Sequence, residues 1–152
     1  MSRRLAALGA FGSGVVAITA TAILSWWLIG DLTVTDPRTA DYLFRPPALS
    51  AATERSMVIG AAIALVLALI GLVLAWRKLG PAPEWILVIG LWLAAGAAAG
   101  GLERVVTVGV VGANIGGGLA LMVSPVAVIG LLGATVLVLG PLRARADHET
   151  TS

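Results

Sequence analysis

The residues that could do chemistry are few. The first to weigh is the adjacent pair Glu103-Arg104, which interrupts a long uncharged stretch. A carboxylate set beside Asp31 or Asp41 could form the acid pair of a hydrolase. Nothing in the chain supplies a nucleophile or positions a substrate for such a pair. Residues one apart on a helix do not face each other, so Glu103 and Arg104 read as two interfacial charges that solvate a rim. The more specific reading pairs one of them with an Arg or Asp of the loop Asp31 to Arg55 and so closes the molecule. Gly112 and Gly116 to Gly118 suggest a phosphate-cradling loop. Their spacing fits neither the dinucleotide fingerprint nor the P-loop, and no Lys-Ser/Thr follows. The chain has no Cys, which excludes disulfides, thiolate chemistry and Cys-ligated metals. Its single His, His148, lies in a polar tail. The sequence therefore offers no catalytic residue, no metal-ligand set and no cofactor site, and the expectation is a protein that is not an enzyme.

Composition explains where so few polar groups leave the chain. Its 152 residues allow one domain, 59% hydrophobic and 12% charged. Soluble domains carry about 25% charged residues. A chain this short could not hide so much apolar surface in a soluble core, because small domains leave much of their surface in water. The lipid bilayer is the expected surroundings. The net charge of +2 comes from Arg flanking apolar runs, without a basic stripe and interleaved aromatics, so nucleic acid is not an expected partner.

A helix crossing the roughly 30 Å hydrocarbon core needs about 20 apolar residues. Four stretches meet this: residues 5–30, 57–76, 85–102 and 119–140. The fold class expected is an all-α membrane protein, four transmembrane helices arranged as two hairpins. Residues 1–143 form the transmembrane domain, and 144–152 a disordered cytoplasmic tail. Between the third and fourth spans lies Val105 to Gly118, apolar and Gly-rich but too short to cross, expected as an interfacial or re-entrant segment. Non-helical backbone at membrane depth must be shielded by protein or water. Asn114, the sole Asn, is placed to cap the helix that follows. Pro125 should kink the fourth span.

Orientation follows the bias of Lys and Arg in short flanks. Arg3, Arg4, Arg77, Lys78, Arg143 and Arg145 fall on one side of a four-span arrangement, close to span ends. Arg38, Arg45, Arg55 and Arg104 fall on the other, mixed with acids. This predicts both termini in the cytoplasm and a multi-pass protein of the cytoplasmic (inner) membrane. Trp26, Trp27, Trp76 and Trp85 fall near span ends, at headgroup level. Trp92 is the exception, a turn or two inside its span. Arg3-Arg4 followed by an apolar run and Ala20-Thr21-Ala22 also has the outline of a cleavable signal peptide. The apolar run continues through Ile29, which suits a retained anchor better.

The spans contain no ionisable side chain, so a proton-coupled pump is disfavoured. Their positive signal is small residues. Gly9, Ser13, Ala17, Thr21 and Ser25 form an i+4 ladder in the first span, and Gly96 and Gly100 a GxxxG pair in the third. Small residues let membrane helices approach closely. Two functional expectations follow. The first is a non-enzymatic membrane protein acting through protein–protein contacts, an accessory subunit of a cell-envelope complex, with an outer partner surface at Glu103, Arg104 and Asn114. The alternative is a minimal oligomeric transporter or channel using the Ser13, Thr21, Ser25 face, which makes a homo-oligomer its partner.

Overall fold

A computed structural model of the chain describes residues 3–31, 44–45, 48–80 and 83–108, with 118, 122, 129, 133 and 135 as isolated positions. The described residues are helical or irregular, with no strand among them. Three long helices carry the architecture: α1 (Arg3–Ile29), α2 (Ala51–Leu79) and α3 (Glu84–Thr107). With 27, 29 and 24 residues, each exceeds the about 20 needed to cross a bilayer. All three are long and apolar enough to span a membrane. The expected fourth span at 119–140, the Gly-rich segment beyond Val108 with Asn114, Pro125 and the tail lie outside the described residues, isolated positions apart. Gly118, Met122, Ile129, Gly133 and Thr135 each have helical backbone.

The helix ends follow local chemistry. α1 stops at Gly30, whose φ of +71° is open to glycine and whose N–H bonds the Trp27 carbonyl at 3.0 Å. α2 starts six residues before the Met57 expected from hydropathy. The polar lead Ser50 to Glu54 is part of the same helix: the Ser50 hydroxyl accepts from the Thr53 N–H at 3.1 Å, satisfying a donor left free at the helix start. Hydropathy cannot register this turn because it is polar, but Ser50 to Glu54 reads from the sequence as a short helical lead into the span, as the structure has it. At the other end Gly80, with φ of +113°, donates to the Trp76 carbonyl at 3.1 Å. The turn is tight, with Pro83 at the N-cap of α3 and Glu84 in its first turn, where a negative charge is favoured.

α3 also outruns its expected boundary, past Glu103 and Arg104 to Thr107. Its last carbonyls are met from two sources. The Thr107 hydroxyl donates to the Glu103 carbonyl at 2.7 Å, and the Phe44 N–H donates to the Val106 carbonyl at 3.2 Å. The second bond ties the α1–α2 connection to the end of α3. Val108 then turns extended, with ψ of 134°.

Among the three described helices α1 lies between the other two. It packs along both α2 and α3, antiparallel to the first and parallel to the second. The core is built largely of alanine: Ala10 and Ala17 of α1 meet Ala68, Leu72 and Ala75 of α2, with Trp85, Ile89, Trp92 and Leu93 of α3 packed against them. Alanine in this position brings helix axes close, and close packing is what holds helices together where lipid removes the hydrophobic drive. The opposite face of α2 presents Ile59, Ile63, Val66, Leu67, Ile70 and Leu74 outward.

Candidate functional site

The most structured feature of the molecule is the seam between α1 and α3. Its register is regular. Gly14 faces Trp92, Ile18 faces Gly96, Ala22 faces Gly100 and Trp26 faces Arg104. Each rung is one helical turn from the next on both helices, so two i+4 ridges lie side by side. The rungs work by missing atoms. A Cβ on Gly14 would fall inside the Trp92 ring, with one ring carbon at 2.6 Å. A Cβ on Gly96 would strike the Ile18 carbonyl oxygen and lie 2.9 Å from Thr21 Cβ. A Cβ on Gly100 would strike the Ala22 carbonyl oxygen. Gly96 and Gly100 are buried accordingly. Between these rungs the Ser25 hydroxyl donates to the Ala97 carbonyl at 3.0 Å, a hydrogen bond from side chain to backbone across the helices.

The seam ends in a charged cap. Arg104 Nε donates to the Trp26 carbonyl at 2.8 Å, and its guanidinium carbon lies 3.9 Å from the centroid of the Trp26 ring. The Trp26 carbonyl is one of the last four of α1, which have no partner within the helix. α1 has no basic residue in its own last turn. Arg104 therefore supplies from α3 the cation that the negative end of the α1 dipole favours. The sequence reads Glu103 and Arg104 as two interfacial charges, with pairing to an Arg or Asp of the connecting loop as the more specific alternative; most of that loop lies outside the described residues. Among the described residues, the partner of Arg104 is the end of α1.

Beside this cap is an open cleft of about 340 Å³. α1 contributes Ala22, Ile23 and Trp26, α3 contributes Ala99, Gly100 and Glu103, and Leu49 and Met57 close it from the start of α2. Among these described lining residues, Glu103 is the charged one. Among the described residues, the hydrogen bonds at this turn use the Glu103 carbonyl and the Arg104 guanidinium.

The α1 ladder divides between two neighbours. Ser13 lies against Gly71 of α2, where a Cβ would meet its hydroxyl oxygen. Ala17 is fully buried in the alanine core. Thr21 and Ser25 belong to the α3 seam. Gly9 is exposed with open space around it, and burial at that level passes through Ala6 and Ala10. Two contact glycines, Gly14 and Gly71, were not singled out from sequence. The position of Trp92 was the available signal: an indole deep in a span requires a gap opposite it. Asn114 lies outside the described residues. Among the described residues no cluster of three or more His, Asp or Glu side chains could hold a metal ion.

Three helices long and apolar enough to cross a membrane, closed on one another by small residues, suggest a helical membrane protein. The chain matches no family model, no curated protein and no solved structure.

Proposed function

We propose that this chain is a non-enzymatic, multi-pass protein of the cytoplasmic membrane that acts through contacts with another membrane protein, as an accessory subunit of a cell-envelope complex. The observation that carries this reading is the use made of the polar groups within the spans. Ser13 is set against Gly71 and Ser25 is spent on the Ala97 carbonyl. Thr21 has its Cβ against the Gly96 position, and its hydroxyl is buried without a hydrogen-bond partner among the described residues. The Thr21 hydroxyl is buried, and the half-buried Ser13 and Ser25 are engaged at helix contacts, which argues against an open polar path for the transporter alternative. Among the described residues α2 presents an apolar face outward, and Leu8 and Phe11 of α1 and Ile86 and Leu87 of α3 are exposed as well.

In this proposal the chain crosses four times and both termini are cytoplasmic. Antiparallel α1 and α2 bring the start of α1, at Arg3, to the same end as Arg77 and Lys78 in the last turn of α2. The positive-inside rule places that end in the cytoplasm. Helical backbone at Gly118, Met122, Ile129, Gly133 and Thr135 supports a fourth span that returns the C-terminus to the same side.

The test is site-specific photo-crosslinking in the native membrane, with the crosslinker at Leu67 or Ile70 on the outward face of α2. A single larger adduct, retained at fixed stoichiometry through purification in mild detergent, is the expected result. Adducts only with lipid, or only with a second copy of the chain, would defeat the accessory-subunit reading.

A further inference from the structure

The cleavage-site outline in α1 coincides with the tightest part of the seam. Arg3-Arg4, the uncharged run Leu5 to Thr19 and the small residues Ala20 and Ala22 around Thr21 have the order of a signal-peptidase substrate, with Ala22–Ile23 as the bond to be cut. In the structure α1 runs unbroken through this motif to Ile29. Ala20 is 3% exposed, and Thr21 Cβ lies against the Gly96 position. The Ala22 carbonyl, which a peptidase must attack, is the group that Gly100 covers. A Cβ on Gly100 would strike its oxygen and lie 2.9 Å from both its carbon and the Trp26 nitrogen, the donor to that carbonyl within the helix. The seam therefore shields the scissile bond and the hydrogen bond that keeps it helical. Proteases act on backbone that is exposed or locally opened, so cutting here requires α1 to come away from α3.

We propose that Ala20-Thr21-Ala22 is a latent signal-peptidase site, kept silent by the packing of α3 on α1. Hydrolysis would add one water across the Ala22–Ile23 peptide bond, leaving a carboxylate on Ala22 and an amine on Ile23. It would release Ala10 and Ala17 of the alanine core together with Gly14, which faces Trp92, and leave Ser25 and Trp26 on the shortened chain. Packing thus decides whether α1 is a structural helix or a leader. In a cell the enzyme reaches the motif only with the end of α1 on the outer side, so the proposal rests on the topology given above. Detergent micelles have no sidedness, and a test in them stands or falls apart from that topology.

The test incubates the purified full chain in mild detergent with a purified type I signal peptidase and follows the new N-terminus by mass spectrometry. Where opening is fast relative to cleavage, the rate follows the population of the open form. Gly100→Ala, which overpacks the α1 backbone, should yield the chain beginning at Ile23 about tenfold faster than wild type, in step with its loss of stability. Gly90→Ala, in open space, should be cut at the wild-type rate. Adding Ala20→Leu to Gly100→Ala should abolish the product. A larger residue at this buried position destabilises the helix contacts further, yet it removes the small side chain that the enzyme requires. That reversal separates a recognised site from general loss of structure. Equal rates for wild type and Gly100→Ala, no product from either, or a product that survives Ala20→Leu would each overturn the proposal.

Discussion

Arg104 of α3 caps the carbonyl end of α1 through Trp26: its Nε lies 2.8 Å from the Trp26 carbonyl oxygen and its guanidinium carbon 3.9 Å from the ring centroid. One side chain thus satisfies an orphan carbonyl, opposes the helix dipole and stacks on an aromatic face. A charge-assisted hydrogen bond contributes about 1.5–3 kcal/mol and a cation–π contact about 0.5–2 kcal/mol, and the two are not additive. Arg104→Ala should therefore cost about 2 kcal/mol. Arg104→Lys should fall between wild type and Ala, since an ammonium keeps the charge but not the planar stack. Unfolding in mixed micelles measures both. An Arg104→Lys variant as stable as wild type would show that the stack contributes nothing.

The seam glycines should tolerate no side chain, even a methyl. Gly96→Ala and Gly100→Ala are expected to destabilise by about 1–3 kcal/mol through overpacking against the α1 backbone, and the Ile variants by more. Gly90 on the same helix has open space around it. Gly90→Ala should be neutral or stabilising by about 0.5–1 kcal/mol through helix propensity. Thermal melts in detergent separate the cases. Equal shifts at Gly90 and Gly100 would remove the close-approach argument.

Gly14 and Trp92 should behave as a coupled pair. Gly14→Leu places a side chain where the ring sits, and Trp92→Ala leaves the space empty at a cost of about 3 kcal/mol. Combined, they should be less harmful than the sum of the two, because the leucine occupies what the indole vacates. A double-mutant cycle that is additive within about 0.5 kcal/mol would mean the two positions are not in contact.

Topology has a direct readout. Reporter fusions at Ser152 should give a cytoplasmic signal, and fusions within Thr39 to Ser50 a non-cytoplasmic one. A non-cytoplasmic signal at Ser152 together with one at Thr39 to Ser50 would leave three crossings in place of four.

The existence and approximate place of the three spans were legible in the sequence, because crossing a membrane is a local demand on length and apolarity. The ends were less so. Ser50 extends α2 by a polar turn, and the bonds from Thr107 and Phe44 carry α3 past Glu103. Neither leaves a hydropathy signal. The GxxxG pair Gly96 and Gly100 lies at a helix contact, whereas Gly9 of the α1 ladder stands in open space. The α1 ladder shows why. At 3.6 residues per turn an i+4 step advances about 40°, so four steps rotate the ladder by roughly 160°. Its members cannot all face one neighbour, and they do not: Ser13 meets α2, while Thr21 and Ser25 meet α3.

By itself the sequence determined that these stretches are long and apolar enough to cross a bilayer, because the free energy of apolar and charged groups in lipid is set residue by residue. It also determined where small side chains would permit close packing. Only the tertiary structure decided which of those permissions were used. Central placement of α1 makes its neighbours on both sides depend on one helix, and the parallel register with α3 sets Trp92 on Gly14 and Arg104 on Trp26. Contacts between residues 78 positions apart depend on the relative rotation and offset of two helices. Those are fixed by the joint fit of all the rungs, which no single rung expresses in the chain.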